Sequence, residues 1–312
     1  MKTVKVRAPT RLDLGGGWTD VPPYCENEGG FVCNIAINRY ATATLGEHGG
    51  TFEPSGADAP LMSAALKRAG LTGVHCALES DFPVGAGLGG SSAASAALLG
   101  AFAAWRDEPW DHREIAEAGR RIEVEDLGIP GGRQDHYAST HGGALALTFS
   151  NTVEVRRIEM SDGTRAEFER RALLLYTGES RISGGNITEV LRAYDNRDPR
   201  VVISLSRMRT LAEEICTFLE DGNLDGVGAL MGEHWRHQRA LHPAIPTPLI
   251  DRIVDIAYAN GAIGSKAMGA SGGGCVLVVC AEQSVERVRA AVAPLGTILP
   301  FQLDTKGLAR CD

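Results

Sequence analysis

The pattern of polar and apolar positions changes period several times along the chain, and each change marks an element. Residues 3–7 alternate and predict a strand running into a turn at Gly15, Gly16 and Gly17. Over 31–45, Val32, Ile35, Ile37, Ala41 and Ala43 recur among polar residues, which predicts two strands around Asn38 and Arg39. A short helix is expected at 60–69. A strand follows at 74–80, with Val74, Cys76 and Leu78 on one face. Residues 91–105 are almost wholly Ala, Leu, Phe and Ser. A segment apolar on every side reads as a buried helix, and this one is too short to span a bilayer. Residues 113–127 carry an amphipathic helical pattern closed by Gly128. Strands are expected at 143–149, 172–176, 275–280 and near 298–303, and helices at 201–220, 224–240, 248–260 and 284–293. Charge rises between Glu154 and Arg171. Mixed elements on both sides of that rise predict an α+β protein of two domains, 1–160 and 161–312.

Composition narrows the class. With 312 residues, 44% hydrophobic and 22% charged, the chain can bury a core and is not of disordered type. The net charge of −8 argues against nucleic acid or an anionic membrane as partner. The first ten residues lack an apolar signal core, so the expected location is cytoplasmic. Seven scattered cysteines without a C-x-x-C read as reduced thiols, not as a disulfide framework or zinc site. Cys275 and Cys280 are expected to be inert and buried, and Met62, Met208 and Met231 to be core residues. The 38 glycines do need a local explanation.

Part of that explanation is Pro83-Val-Gly-Ala-Gly-Leu-Gly-Gly-Ser-Ser-Ala-Ala94. Glycines let backbone N–H groups approach an anion, and Ser91 and Ser92 fall where the buried helix begins, with its unpaired donors and partial positive charge. The loop reads as a polyphosphate cradle. Gly85-x-Gly87-x-x-Gly90 also fits a dinucleotide fingerprint, hence an NAD-dependent oxidoreductase. Asp81, Phe82 and Pro83 separate it from its strand, however, and the following acidic residues lie beyond a long helix. A tight turn with a serine cap is the plainest alternative. No G-x-x-x-x-G-K-[ST] occurs.

Two more loops change the weighing. Ala8-Pro-Thr-Arg-Leu-Asp-Leu-Gly-Gly-Gly-Trp-Thr-Asp20, the 83–94 loop and Lys266-Ala-Met-Gly-Ala-Ser-Gly-Gly-Gly-Cys275 together resemble the three ordered motifs of the GHMP kinase superfamily. Gly16-Gly-Trp-Thr-Asp20, Arg133-Gln-Asp-His-Tyr137, Tyr176-Thr-Gly-Glu-Ser-Arg181, His234-Trp235 and Arg239-Ala-Leu241 look like its D-glycero-D-manno-heptose 7-phosphate kinase and fucokinase-like branch. The resemblance implies a ribosomal protein S5 domain 2-like N-terminal domain that binds ATP and a ferredoxin-like C-terminal domain. It also implies Mg2+-dependent phosphorylation of the anomeric hydroxyl of a sugar or sugar phosphate. A kinase of free fucose or galactose, or a sensor that kept the fold, are the alternatives, and a homodimer is left open.

The resemblance also assigns roles. Asp135 matches the acid that accepts or orients the attacking hydroxyl's proton, and Arg11 the cation beside it, whose plainer role would be an ion pair with Asp13. Gly85, Gly87, Gly89, Gly90, Ser91 and Ser92 would hold ATP phosphates. Ser91 and Glu123 would hold the metal, with Ser92 and Glu125 as the alternatives. Gly90 stands where many relatives carry Ser. Asp20 would hold sugar hydroxyls, with Trp18, Arg181, Gly272 and Gly273 as further substrate contacts. His234 and His237 have helical spacing but no third ligand, and are expected at a helix surface or interface.

Overall fold

The computed structural model describes residues 2–50, 52–179 and 184–311. The strands among them are β1 (Thr3–Gly15), β2 (Gly30–Glu47), β3 (Val74–Ser80), β4 (Ala144–Phe149), β5 (Val153–Arg157), β6 (Ala172–Tyr176), β7 (Ala262–Ala267), β8 (Cys275–Cys280), β9 (Thr297–Leu299) and β10 (Ala309–Arg310). The α-helices are α1 (Tyr24–Asn27), α2 (Ala59–Ala69), α3 (Gly90–Trp105), α4 (His112–Arg121), α5 (Gln134–His141), α6 (Asp162–Arg171), α7 (Gly184–Asp195), α8 (Pro199–Glu220), α9 (Leu224–Ala240), α10 (Pro248–Ala259) and α11 (Val285–Val292).

Two antiparallel sheets organise the chain. The first runs β10-β1-β2-β4-β5, with β3 paired to β2. The second runs β7-β8-β6-β9. The two share one core, in which Leu12 and Ile35 of the first sheet, Leu174 and Leu277 of the second and Ile215 of α8 belong to a single buried cluster. The far side of the first sheet is covered by α3, whose alanines pack with Val6, Ala43 and Leu45. The other face of the second sheet carries α8, α10 and α11. The last strand returns to the first sheet, where Val6 faces Arg310 and Arg7 faces Ala309. Among the described residues no helix is long and apolar enough to cross a membrane.

The elements depart from the sequence reading in three places. Residues 31–45 belong to one bent strand, not two. The register jumps from Pro9↔Tyr40 to Thr10↔Ile37, so Asn38 and Arg39 form a bulge instead of a turn. There β2 exchanges one neighbour for another, β4 at residues 30–35 and β3 at 41–47. The helix expected over 113–127 is α-helical only to Arg121 and continues as a π-turn, Ile122–Asp126. Finally α1, α5, α6, α7, β5, β7 and β10 carried no expectation. Asp135 lies in the first turn of α5.

Candidate active site

The three glycine loops meet. Loop 83–89 connects β3 to α3, and Gly89 caps α3 in the left-handed conformation at φ 74°. From the first loop, the Arg11 backbone N–H donates to Leu88 O at 3.0 Å. From the third, the Cys275 N–H donates to Ala86 O at 2.8 Å. Between them lies a cavity of about 410 Å³, a size suited to a small ligand. Gly85, Gly87, Gly89, Gly90, Ser91 and Ser92 all line it. The strand pairs of both sheets are antiparallel. A dinucleotide fingerprint needs parallel βαβ units, so the oxidoreductase reading of Gly85-x-Gly87-x-x-Gly90 is overturned.

Arg11 and Asp135 face each other at the cavity wall. Arg11 Nε donates to Asp135 Oδ1 at 2.7 Å, and Nη1 donates to Gly87 O at 2.7 Å. The guanidinium is thus fixed between the acid and the phosphate-type loop, and Arg11 does not pair with Asp13. A Cβ at Gly89 would lie 3.0 Å from the Asp135 carboxyl carbon, so glycine alone lets the helix start and the acid approach so closely. Burial raises the Asp135 pKa, and the Glu123 carboxylate adds to this. Arg11 and His136 pull it back only in part, so it ends above the ordinary value of 3.8.

Ser91 is exposed at the start of α3, whereas Ser92 is buried and borders His136. Glu123 lines the same cavity. Burial works against its charge, but hydrogen bonds from His136 and Ser91 outweigh that and hold its pKa below the usual carboxylate range. Glu125 is turned outward and accepts from Arg68 Nη2 at 2.8 Å. The π-turn separates the two carboxylates, because it widens the helix at the place where Glu123 must reach inward. Among the described residues no cluster of three or more His, Cys, Asp or Glu could hold a metal alone. A hydroxyl and one ionised carboxylate at a helix N-terminus still suit Mg2+, which fills its octahedron from phosphates and water.

On the other side of Asp135 sits Asp20. Its Oδ2 accepts from the backbone N–H groups of Arg133 (2.8 Å) and Gln134 (3.0 Å), the residues just before Asp135. Desolvation nevertheless raises its pKa to about 6, with Asp135 and Asp13 adding repulsion against the two backbone bonds. Trp18 lines the cavity and is also core, packed in the cluster of Tyr24 and Leu175. Its backbone lies at φ 82°, a strained value for a residue with a side chain. Gly272 and Gly273 do not reach the cavity. Gly272 N–H donates to Ile245 O at 2.9 Å, and Gly273 packs on Glu179. The third loop contributes Gly269 and Ala270 to the wall instead. Arg181 lies outside the described residues.

The partners of three residues near the site escaped the sequence reading. Lys266 opens the third motif but is completely buried, and its Nζ donates to Asp13 O and Asp13 Oδ2, both at 2.8 Å. Of the two places expected for His234, a helix surface or an interface, the structure shows the interface. It is completely buried, and its Nε2 accepts from Gly16 N–H at 2.8 Å, tying α9 to the first glycine turn. His136 bonds Glu123. A lysine and two histidines next to recognised motifs were the available signal, but only the tertiary structure supplies their partners. The expected burial of Cys275, Cys280, Met62, Met208 and Met231 is observed.

Comparison with known proteins agrees with this geometry. The family model described as GHMP kinases N terminal domain matches residues 59–143, and that described as GHMP kinases C terminal matches 211–295. A D-glycero-alpha-D-manno-heptose 7-phosphate kinase of Campylobacter jejuni is 30% identical over 309 residues, covering 88% of each chain. An L-fucokinase/L-fucose-1-P guanylyltransferase of Bacteroides fragilis is 27% identical over 91% of this chain, which spans only 35% of that longer protein. The crystal structure of a D-glycero-D-manno-heptose 1-phosphate kinase from Bacteroides thetaiotaomicron superposes with a TM-score of 0.78 over 99% of both chains at 25% identity. The two-sheet architecture, the three meeting loops and these matches lead to one assignment: the chain belongs to the GHMP kinase family.

Proposed function

We propose that this kinase transfers the terminal phosphoryl group of MgATP to the anomeric hydroxyl of a sugar or sugar phosphate, with D-glycero-D-manno-heptose 7-phosphate as the leading substrate. The observation that carries the reading is the placement of the Arg11–Asp135 pair between two distinct walls. On one side, the glycine loop and the α3 N-terminus offer backbone donors for phosphates. On the other, Asp20 offers acceptor oxygens for sugar hydroxyls. Asp135, raised in pKa, takes or orients the proton of the attacking hydroxyl. The Arg11 guanidinium, fixed beside Asp135, stabilises charge on the transferred group. Ser91 and Glu123 would hold Mg2+, which would supply neutralisation of phosphate charge. Residues 1–160 form the ATP-binding part and 161–312 the second domain in this reading, and the heptose-kinase relative is its strongest outside support.

One observation favours a second reading, a free sugar such as fucose or galactose. Among the described lining residues Arg11 is the only cation, and it is committed to Asp135. A substrate phosphate would need another. An ATP-consumption screen over phosphorylated and free heptoses, fucose, galactose, mannose and uronic acids, with NMR of the product, decides between them. Turnover of the heptose phosphate with a new anomeric phosphate is expected. Turnover of a free sugar alone selects the second reading, and no sugar-dependent turnover removes both.

A further inference from the structure

His136 follows Asp135 in the first turn of α5 and is almost completely buried. Its Nε2 lies 3.0 Å from Glu123 Oε2. An ionised carboxylate can only accept, so the imidazole carries its proton on Nε2 and donates. The rest of the ring is boxed in. Ser92 Oγ stands 3.4 Å from Nε2 and Ser95 Oγ 3.5 Å from Nδ1, and a Cβ at Gly119 would come within 2.9 Å of Nδ1. Residues of α3, α4 and α5 thus fix the ring, and the ring fixes one oxygen of a carboxylate that hangs from a π-turn. Glu123 needs such support, because the helical hydrogen-bond ladder is distorted where it leaves the backbone.

We propose that His136 is a positioning residue: it holds the Glu123 carboxylate in the orientation that receives the divalent cation. The inference rests on the reading of Glu123 as a metal ligand. Groups that orient metal ligands typically contribute 10–100-fold to metal affinity. Because His136 does not line the cavity, its loss weakens the metal without weakening metal-free nucleotide binding.

The test is Mn2+ titration, followed by electron paramagnetic resonance, of the enzyme with ADP. Circular dichroism melting and metal-free ADP affinity are measured in parallel. His136→Ala is expected to raise the Mn2+ Kd about tenfold or more while metal-free ADP binding stays unchanged. Glutamine can place an amide N–H where Nε2 stands and asparagine cannot. His136→Gln is therefore expected to restore most of the affinity and His136→Asn to restore little, a contrast that also serves should the alanine variant fail to fold. A folded His136→Ala with unchanged Mn2+ Kd, or equal losses for the Gln and Asn variants, overturns the proposal. Glu123→Gln separates the levels. If it too leaves the Kd unchanged, the assignment of Glu123 to the metal is what fails.

Discussion

Two ion pairs hang from the same face of β1, two residues apart, and they have opposite fates. Arg11 reaches Asp135, whose side chain is 26% exposed at the cavity wall. Asp13 reaches Lys266, and the pair is sealed, at 2% and 0% exposure. Positions 11 and 13 point the same way because a strand repeats every two residues. What differs is the partner's origin. Asp135 comes from α5 beside the cavity, whereas Lys266 comes from β7 of the second sheet and closes the seam between sheets. Burial pushes the Asp13 carboxyl up, but Lys266, with help from His234 and Arg11, pulls it further down, below the usual value. Asp135 ends above it. The same chemistry serves as a fixed tie in one place and as a group ready to change its charge in the other. Both carboxylates border the cavity, and what separates the two roles is how far solvent reaches each pair.

The comparison can be broken most forcefully at the sealed pair. Lys266→Met leaves the Asp13 carboxylate buried without its cation, and unfolding in urea should show a loss of about 3–5 kcal/mol. The Asp13→Leu, Lys266→Met double variant should recover much of that loss. If the double variant is no more stable than the single, Asp13 is not the partner that matters. At the cavity pair the effect should fall on rate instead. Asp135→Asn is expected to lower kcat by roughly 10²-fold or more with little change in the unfolding midpoint or in ATP affinity. Adding Arg11→Met should cost less than the sum of the single losses, since the two act as a unit. Retention of most of kcat by Asp135→Asn would sink its assignment as the base.

Asp20 sharpens the contrast with a smaller effect, as a carboxylate that is buried with no cation bonded to it. With a folded pKa of about 6 against 3.8 for the free group, the native state binds more protons between those values, so stability falls as pH rises through that window. Asp20→Asn keeps an oxygen for the two backbone donors and removes the charge. At pH 8 it should raise stability by at most about 3 kcal/mol, two units at ~1.4 kcal/mol each, while raising the sugar KM. In the unmodified enzyme the sugar KM should climb as pH drops below about 6. A destabilised Asp20→Asn, or a KM flat across that range, would mean that the carboxylate is not strained for substrate.

Much of this site was legible because its chemistry is local. Glycines flanking Leu88, serines at a helix start and an acid within Arg133-Gln-Asp-His-Tyr137 announce themselves by residue type, and the structure brings them to one cavity. Gly272 and Gly273 look equivalent to Gly269 in a string, yet the turn sends them to Ile245 and Glu179. The sealed tie was not legible, since nothing near Lys266 in sequence names Asp13, 253 residues away. Helix α5 hid because eight residues with mostly buried side chains show no amphipathic period. The bulge at Asn38 and Arg39 resembles a turn until both neighbouring strands are known.

The π-turn at Ile122–Asp126 places a demand on the number of residues in the chain as well as on their kind. Such a turn is a helix carrying one residue more than regular winding accommodates. Remove Ile122 from it and α4 can continue in regular register, with Glu123 and each later position rotated by about 100° about the axis. Glu123 would then leave His136 and Ser91 although every side chain that acts in the site was still encoded. Insertions and deletions, usually tolerated where a helix gives way to a loop, become damaging here. Two chains with the same acid, the same serine and the same histidine could differ in metal binding through a single missing codon.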